Sequence, residues 1–506
     1  MRREEILDSW DEKQYRLLLF LHKKNFSATK EDCSEALGTN TSTLNKLISS
    51  LEELAETSHL FTLTKQGNVV SIQVPFDKNL DDVFHYLLVS SVKYQIISEL
   101  FHKKTISIPY LEKKLGISYA TFYRKLDEIN LLLAEFEIKI ENKTIIGSEF
   151  QIRHFLVELY TMTRTWKLTS EQISDKSVFD QVAVLNKQLQ LELSDISIGR
   201  IVSYLMIVKF RYLQKKVIPM NSSKCFFDSV SFKRFVDAFE ESSLYPLCKN
   251  YMDHFFSSYG IIPNKNEALG LLLFLMGNHI LSDSSNTYKD IFTIEANAQS
   301  MTSIIKSRLL DCFKESAIIL PKQQQELSYL LSQIIWHHYL FKGWVTTENT
   351  LMDQQKVEKI IALFDAKDFI TTFFIDYFPE LDQNISMLHY FNSDLYHLMI
   401  YYLKINYSGL SIGVHIEGNV LMKKILTPMI INRLNSLNYV TASIFDKQST
   451  YDLVISNVNF PSIEKQGTYF YLINHEFYSG DLQMIENFVN MIIQNTATKP
   501  YSEALV

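Results

Sequence analysis

Cysteine is scarce in this chain. Only Cys33, Cys225, Cys248 and Cys312 occur in 506 residues, with no Cys-x-x-Cys pair and no histidine pair at zinc spacing beside them. That pattern excludes a disulfide framework and the common structural zinc sites, so no metal and no cofactor is expected, and the thiols read as buried and free. Glycine (14) and proline (10) are also sparse, which leaves little material for long irregular loops and points to a helix-rich chain. Long apolar runs are missing too. The longest, around Leu269 to Met276, falls far short of a membrane span. Met1-Arg2-Arg3-Glu4-Glu5 carries charge where a secretory signal would lead into an apolar core. The expectation is a soluble, cytoplasmic protein with no membrane partner. Gly-x-Ser-x-Gly, His-Glu-x-x-His and phosphate-loop patterns are absent as well, so no catalytic residues are assigned and the chain does not read as an enzyme.

A strong excess of positive charge is lacking: the net charge is −7, and residues 1–165 hold 21 Lys plus Arg against 23 Asp plus Glu. What is present is 46% hydrophobic and 13% aromatic residues, which rules out a disordered chain. The length calls for several domains.

Helix punctuation supplies the first function-bearing pattern. Pro109 sits where a first helical turn tolerates proline, Leu111 and Leu115 fall four apart, and Gly116-Ile117-Ser118 breaks the helix before another runs to Leu133. Phe122, Leu126, Ile129 and Leu133 form the apolar stripe of that second helix, which leaves Ser118, Thr121, Arg124, Lys125 and Glu128 facing outward. Helices that enter the major groove present polar side chains at this end. Ile138 to Ile140, a Glu141-Asn142-Lys143 turn and Thr144 to Ile146 read as a two-stranded wing. An earlier copy uses Thr29 and Asp32 as a cap, Cys33, Ala36 and Leu37 as a buried face, and Gly38-Thr39-Asn40 as the turn. Its second helix buries Leu44, Leu47, Ile48, Leu51 and Leu54 and turns Thr41, Ser42, Thr43, Asn45 and Lys46 outward. Leu60 to Thr64 and Val69 to Val74 then form its wing. Two winged helix-turn-helix modules point to double-stranded DNA as partner. The candidate contacts are Thr41, Thr43, Asn45 and Lys46, then Ser118, Tyr119, Thr121, Arg124 and Lys125. A lysine cluster at Lys103, Lys104, Lys113, Lys114, Lys139 and Lys143 supports the second module.

A junction follows that second wing. Ile145-Ile146 ends the strand, Gly147 turns, and a helix from Glu149 carries Ile152, Phe155, Leu156 and Leu159 on one side. One helix is expected from Asp82 to about Phe101 ahead of the module. Helical periodicity continues from about Trp166 to Asp290 and from Ile291 to about Leu403. After Tyr407-Ser408-Gly409 the texture changes to strand, helix, three strands and a helix, a small α/β domain with a mainly parallel sheet. The fold class is mainly α and multidomain, divided as 1–78, 79–165, 166–290, 291–405 and 406–506.

The tandem winged modules, the Ile145-Ile146-Gly147-Ser148-Glu149 junction continuing through Ile152-Arg153, Phe155-Leu156 and Leu159-Tyr160, the two helical segments and the α/β end together resemble the Mga and AtxA family of Gram-positive transcriptional regulators. The resemblance implies that the helical segments are phosphotransferase-system (PTS) regulatory domains. It implies that the last unit is similar to a sugar permease B component (EIIB-like) and supports a homodimer. It further implies phosphorylation on histidine by the phosphocarrier protein. Candidates are His254 and His279 in the first segment and His337, His338, His389 and His397 in the second, with His397, His338 and His279 foremost. No histidine lies between Ile198 and Leu213, where Gly199 and Arg200 occupy the region in which the first target would be sought. The loop after the first strand of the α/β unit, Glu417-Gly418-Asn419, lacks the cysteine that permease B components phosphorylate. The expected function is a DNA-binding transcriptional regulator, an activator, tuned by phosphorylation and dimerisation. An RNA-binding antiterminator, a phosphotransferase enzyme component and a purely structural assembly protein are the alternatives.

Overall fold

The protein is described here by a computed structural model covering residues 1–102, 107–162, 176–191, 193–218, 229–278, 280, 286–298, 301–315, 323–345, 391, 394–395, 397–398, 401–402, 410–418, 420–437, 440–459, 461–473 and 479–497. His279, His389, Lys103 and Lys104 lie outside these residues, as does much of the helix expected after Asp394. The chain forms two compact units, residues 1–303 with 335–351, and residues 304–334 with 352–506. This division crosses the helical segment expected at 291–405, assigning its two ends to different units.

In the first unit, α1 (Ser9–Lys23), α2 (Lys30–Leu37) and α3 (Thr41–Ser58) make a three-helix module. Its core is Tyr15, Leu18, Leu21, Cys33, Leu44, Leu47, Ile48 and Leu51, although Ala36, expected in that core, is exposed. The wing, β2 (Thr62–Gln66) and β3 (Val69–Gln73), gains a third strand that periodicity did not indicate, β1 (Ser27–Thr29), paired antiparallel to β3.

The single helix expected from Asp82 is two, α4 (Leu80–Ser90) and α5 (Val92–His102). Ser91 is extended at the break. The cost is offset because the Ser91 hydroxyl donates to the Ile6 carbonyl at 2.8 Å and the Val92 N–H donates to the Asp8 carboxylate at 2.9 Å. Then come α6 (Ile108–Leu115), α7 (Tyr119–Leu133) and the wing pair β4 (Lys139–Glu141) and β5 (Thr144–Ile146). Asn142 and Lys143 take positive φ at the wing tip, the geometry of a tight hairpin. Gly147 has φ near +143°, and a Cβ there would stand 2.8 Å from Ile138 Cγ2, so the turn into the next helix requires glycine.

That helix, α8 (Glu149–Met162), departs from the amphipathic reading: every residue from Gln151 to Tyr160 is buried. It runs against α10 (Asp195–Leu213) in a helical layer that also holds α9 (Lys176–Leu189), α11 (Ser229–Glu240), α12 (Leu244–Ser257), α13 (Asn266–Gly277) and α14 (Asn286–Ala298). One buried apolar cluster extends from Ile6 through both winged modules to Val345.

The second unit carries a four-stranded, wholly parallel sheet of β6 (Leu410–His415), β7 (Val440–Ile444), β8 (Tyr451–Ser456) and β9 (Gly467–Leu472) in the order β7-β6-β8-β9. Ile412, Val414, Leu453 and Ile455 pack against Ile430 and Leu434 of α17 (Val420–Asn435) and Ile485 and Val489 of α19 (Ser479–Ala497). A short helix, α18 (Pro461–Glu464), follows β8 and precedes β9 in the chain. The helices α15 (Met301–Glu315) and α16 (Gln324–Leu340) precede the sheet in the chain.

Candidate nucleic-acid interface

Each winged module builds its second helix the same way. Asn40 accepts the Thr43 N–H at 2.8 Å to cap α3, and Ser118 accepts the Thr121 N–H at 3.2 Å to cap α7. Gly38 and Gly116, both left-handed at φ +58° and +65°, end the preceding helices and set the tight turn. Helices α3 and α7 carry no acidic residue in their first turns, as is also true of α5 and α6, whereas α1, α2 and α4 carry two each. The positive ends of the two second helices are therefore left without a built-in counter-charge, an arrangement suited to phosphate.

The outward faces differ from expectation at one position. Thr41, Asn45, Lys46, Ser118, Tyr119 and Arg124 are exposed, and Thr43 and Thr121 are half-buried beside their caps. Lys125 is not on that face: it is 7% exposed, and its Nζ lies 2.9 Å from Asp8 Oδ1 and 2.9 Å from Glu128 Oε2. The outward placement of Lys125 is thus corrected, because helical periodicity could not anticipate two carboxylates waiting on its inner side. Burial works against the Lys125 charge, but Glu128 and Asp8 outweigh it and raise its pKa above the ordinary lysine value. Burial, with Asp8 adjacent, pushes the neighbouring Asp11 carboxyl up to about 6, against a smaller opposing pull from Lys125.

Two exposed aromatics extend the second face. Tyr119 and Tyr123 lie in contact with ring centroids 4.7 Å apart and their planes tilted by 49°, and a hydroxyl contact with Tyr123 raises the Tyr119 phenol pKa. Tyr123 was not singled out in the sequence, yet its i, i+4 spacing from Tyr119 was the available signal. The local basic cluster is partly neutralised, since Lys114 pairs with Glu99, Lys139 with Glu141 and Arg124 loosely with Glu128 at 3.9 Å. Asn130 ties the wing to α7 by donating to the Ile140 carbonyl and accepting its N–H at 3.0 and 2.6 Å.

Behind the second module, α8 carries a buried charge network. Arg153 binds Glu149 at 3.0 Å and Glu267 at 2.6 and 3.0 Å, while Arg211 binds Glu149 at 2.6 Å. Burial alone would raise the Glu149 carboxyl pKa, but Arg153 and Arg211 reverse the shift and hold it low. His154 stacks on Phe341 at 4.2 Å and donates from Nε2 to the Gly343 carbonyl at 2.9 Å, and burial lowers its ring pKa. Gly343 sits at φ +76° with its α-carbon against the Phe136 ring.

The histidines fall in unlike surroundings. His254 and His397 are exposed, whereas His338 is buried. His337 has both nitrogens engaged, with Nδ1 against the Gly277 carbonyl and Nε2 accepting the Trp344 indole N–H at 2.6 Å. Arg200, in the region where the first-segment target was sought, reaches Asn278 at 2.8 Å and Glu158 at 3.3 Å. In the α/β unit, His415, Glu417 and Lys423 form a chain of contacts at the end of β6. Among the described residues no group of side chains with metal-ligand geometry occurs, and no helix is long and apolar enough to cross a membrane.

Two capped second helices, each with a wing, define a tandem winged helix-turn-helix protein. Residues 76–160, spanning α4 to α8, match the Mga helix-turn-helix domain. The chain is similar to the anthrax toxin expression trans-acting positive regulator of Bacillus anthracis, at 26% identity over 58% of this chain and 60% of that protein. It is also similar to two capsule synthesis positive regulators of the same organism. AcpB is 22% identical over 43% of this chain and 45% of its own length. AcpA is 19% identical over 58% of this chain and 59% of its own length. The chain thus spans about three fifths or less of the curated relatives it matches. Residues 76–160 thus carry the match to the Mga helix-turn-helix domain, and the relatives the chain resembles are named as positive regulators of anthrax toxin expression and of capsule synthesis.

Proposed function

We propose that this protein is a cytoplasmic, DNA-binding transcriptional activator that inserts α3 and α7 into successive major grooves. The observation that carries the reading is the pair of capped second helices whose first turns lack acidic residues, the second of them inside the Mga helix-turn-helix match. Thr41, Thr43, Asn45 and Lys46 contact DNA from the first module, and Ser118, Tyr119, Thr121, Tyr123 and Arg124 from the second. Arginine and lysine supply phosphate attraction, and the paired tyrosines offer apolar edges to thymine methyl groups.

Regulation in this reading runs through the helical segments, which act as phosphotransferase-system regulatory domains, with exposed His397 as the foremost phosphate acceptor. The parallel-sheet unit acts as the dimer contact. It displays Leu421, Ile425 and Met429 along one exposed face of α17, a surface suited to a second copy. Without a cysteine in the Glu417-Gly418-Asn419 loop, phosphate transfer through that unit is not part of the proposal.

The test is a footprint of the full chain on its own upstream DNA and on scrambled DNA across a salt series. Protection of a defined segment, weakened in Lys46→Ala and Arg124→Ala, supports the reading. Equal affinity for both DNAs, or none at any protein concentration, overturns it. Sedimentation of the Leu421→Asp, Ile425→Asp variant tests the dimer contact, and a mass change on His397 after incubation with the phosphocarrier protein tests the phosphate acceptor.

A further inference from the structure

The two winged modules meet through polar contacts at their shared border. Arg3 reaches the Tyr15 hydroxyl at 2.6 Å and Asp81 at 2.5 Å, and its guanidinium lies 4.6 Å from the Phe84 ring centroid. Lys93 donates to the Glu5 carbonyl at 2.5 Å. The contacts to Asp81, Phe84 and Lys93 join the first module to α4 and α5. Lys125 makes such a link from α7 itself: its buried ammonium ties the middle of that helix to Asp8, the residue that opens α1. The other end of that path is equally fixed, because Gln14 and Trp10 of α1 donate to Ser50 of α3 at 2.9 and 3.3 Å. A short chain of contacts therefore runs from α7 through Lys125, Asp8 and α1 to α3.

We infer that Lys125 is a positioning residue that locks the two recognition helices at one separation and angle, so that the modules read DNA as a rigid pair with a spacing set by the protein. The inference rests on both modules being DNA readers, as proposed above. A flexible tandem would tolerate rotation of one half-site around the duplex. A locked one would not, because half a helical turn faces the second site away from its helix.

The experiment uses the full chain on its protected DNA segment and on the same DNA with about 5 bp, half a turn, or about 10 bp, a full turn, inserted between the two contacted stretches. The wild-type chain is expected to lose affinity about tenfold on the half-turn insert and to recover much of it on the full-turn insert. Lys125→Met and Asp8→Asn, the latter retaining an acceptor for the Val92 N–H, should lower affinity for the parent site and shrink the half-turn penalty to about threefold or less. Lys125→Arg, which keeps the charge, should retain the penalty. A wild type indifferent to insertion, or variants that keep the full penalty, overturns the lock. Spin labels at the exposed Ser49 and Asp127 positions, in a chain with its four cysteines replaced, report the same lock without DNA. Their distance distribution should broaden in Lys125→Met and Asp8→Asn but not in Lys125→Arg. An unchanged distribution overturns the inference, whereas a broadened one in a protein that binds no DNA overturns only the DNA reading.

Discussion

The first winged module closes upon itself, whereas the second does not. In the first, β1 completes a three-stranded wing, and the join after β3 leaves Phe76 fully exposed before α4 begins. In the second, the wing has two strands held to α7 by Asn130, and the chain passes through Gly147 directly into α8, whose central turns have no solvent-facing side. The first module completes its own wing and shares a border with the second. The second borrows part of its core from the helical layer behind it. A change in that layer is therefore felt at α7 and its wing before it is felt at α3.

The comparison breaks if the anchoring of α8 is unimportant, and Arg153→Met tests this most severely. It leaves the Glu267 carboxylate buried without its arginine partner, a class of loss worth about 3–5 kcal/mol. Thermal unfolding should show the midpoint of the first unit falling steeply; a shift of less than a degree would refute the anchor. Gly343→Val comes next, since any Cβ there meets the Phe136 ring at 2.7 Å from a backbone at φ +76°. A destabilisation of about 1–3 kcal/mol is expected in urea titration.

Salt dependence sharpens the contrast on the DNA side. Lys46→Ala and Arg124→Ala should each lower the slope of log affinity against log salt by about one, while Lys125→Ala, whose ammonium never faces phosphate, should leave the slope unchanged. A reduced slope in Lys125→Ala would mean that the side chain swings outward on binding.

The smallest effect concerns the border between the modules. Asp11 holds its proton up to about pH 6 in the folded chain. The unfolded chain releases it near the ordinary aspartate value, so the folded state binds more protons across that interval and stability falls as pH rises through it. Glu12, Asp8, Lys93, Lys125 and Glu128 share the same neighbourhood. Asp11→Asn should therefore raise the melting point at neutral pH by roughly 2 °C and flatten its decline between about pH 4 and 6.

Much of this was readable before any coordinates. Gly38, Gly116 and the Asn142-Lys143 wing tip are local signals, and local sequence determines them. Where reading failed, the deciding partner was distant. Lys125 turns inward because Asp8 lies across a module border. Gln151, Arg153, His154 and Glu158 gave α8 the appearance of a polar face, but Arg153 finds Glu267 at a separation of 114 residues and His154 finds Gly343 at 189. The break at Ser91 was invisible for the same reason, because Ile6 and Asp8 supply its hydrogen bonds. β1 is three residues long, too short for alternation to register. Lys125 apart, the outward residues of α3 and α7 were legible as a surface, since they needed only helical periodicity.

The match to the Mga helix-turn-helix domain stops at residue 160, inside α8 and just short of its end. A fragment ending there would carry a helix stripped of the layer that buries it, with Arg153 and Glu149 parted from Glu267 and Arg211. The second module thus leans on that layer to stay folded. Whatever loosens the layer withdraws α7 and its wing along with it, and abundance of the folded module becomes a report on the integrity of the helices behind it.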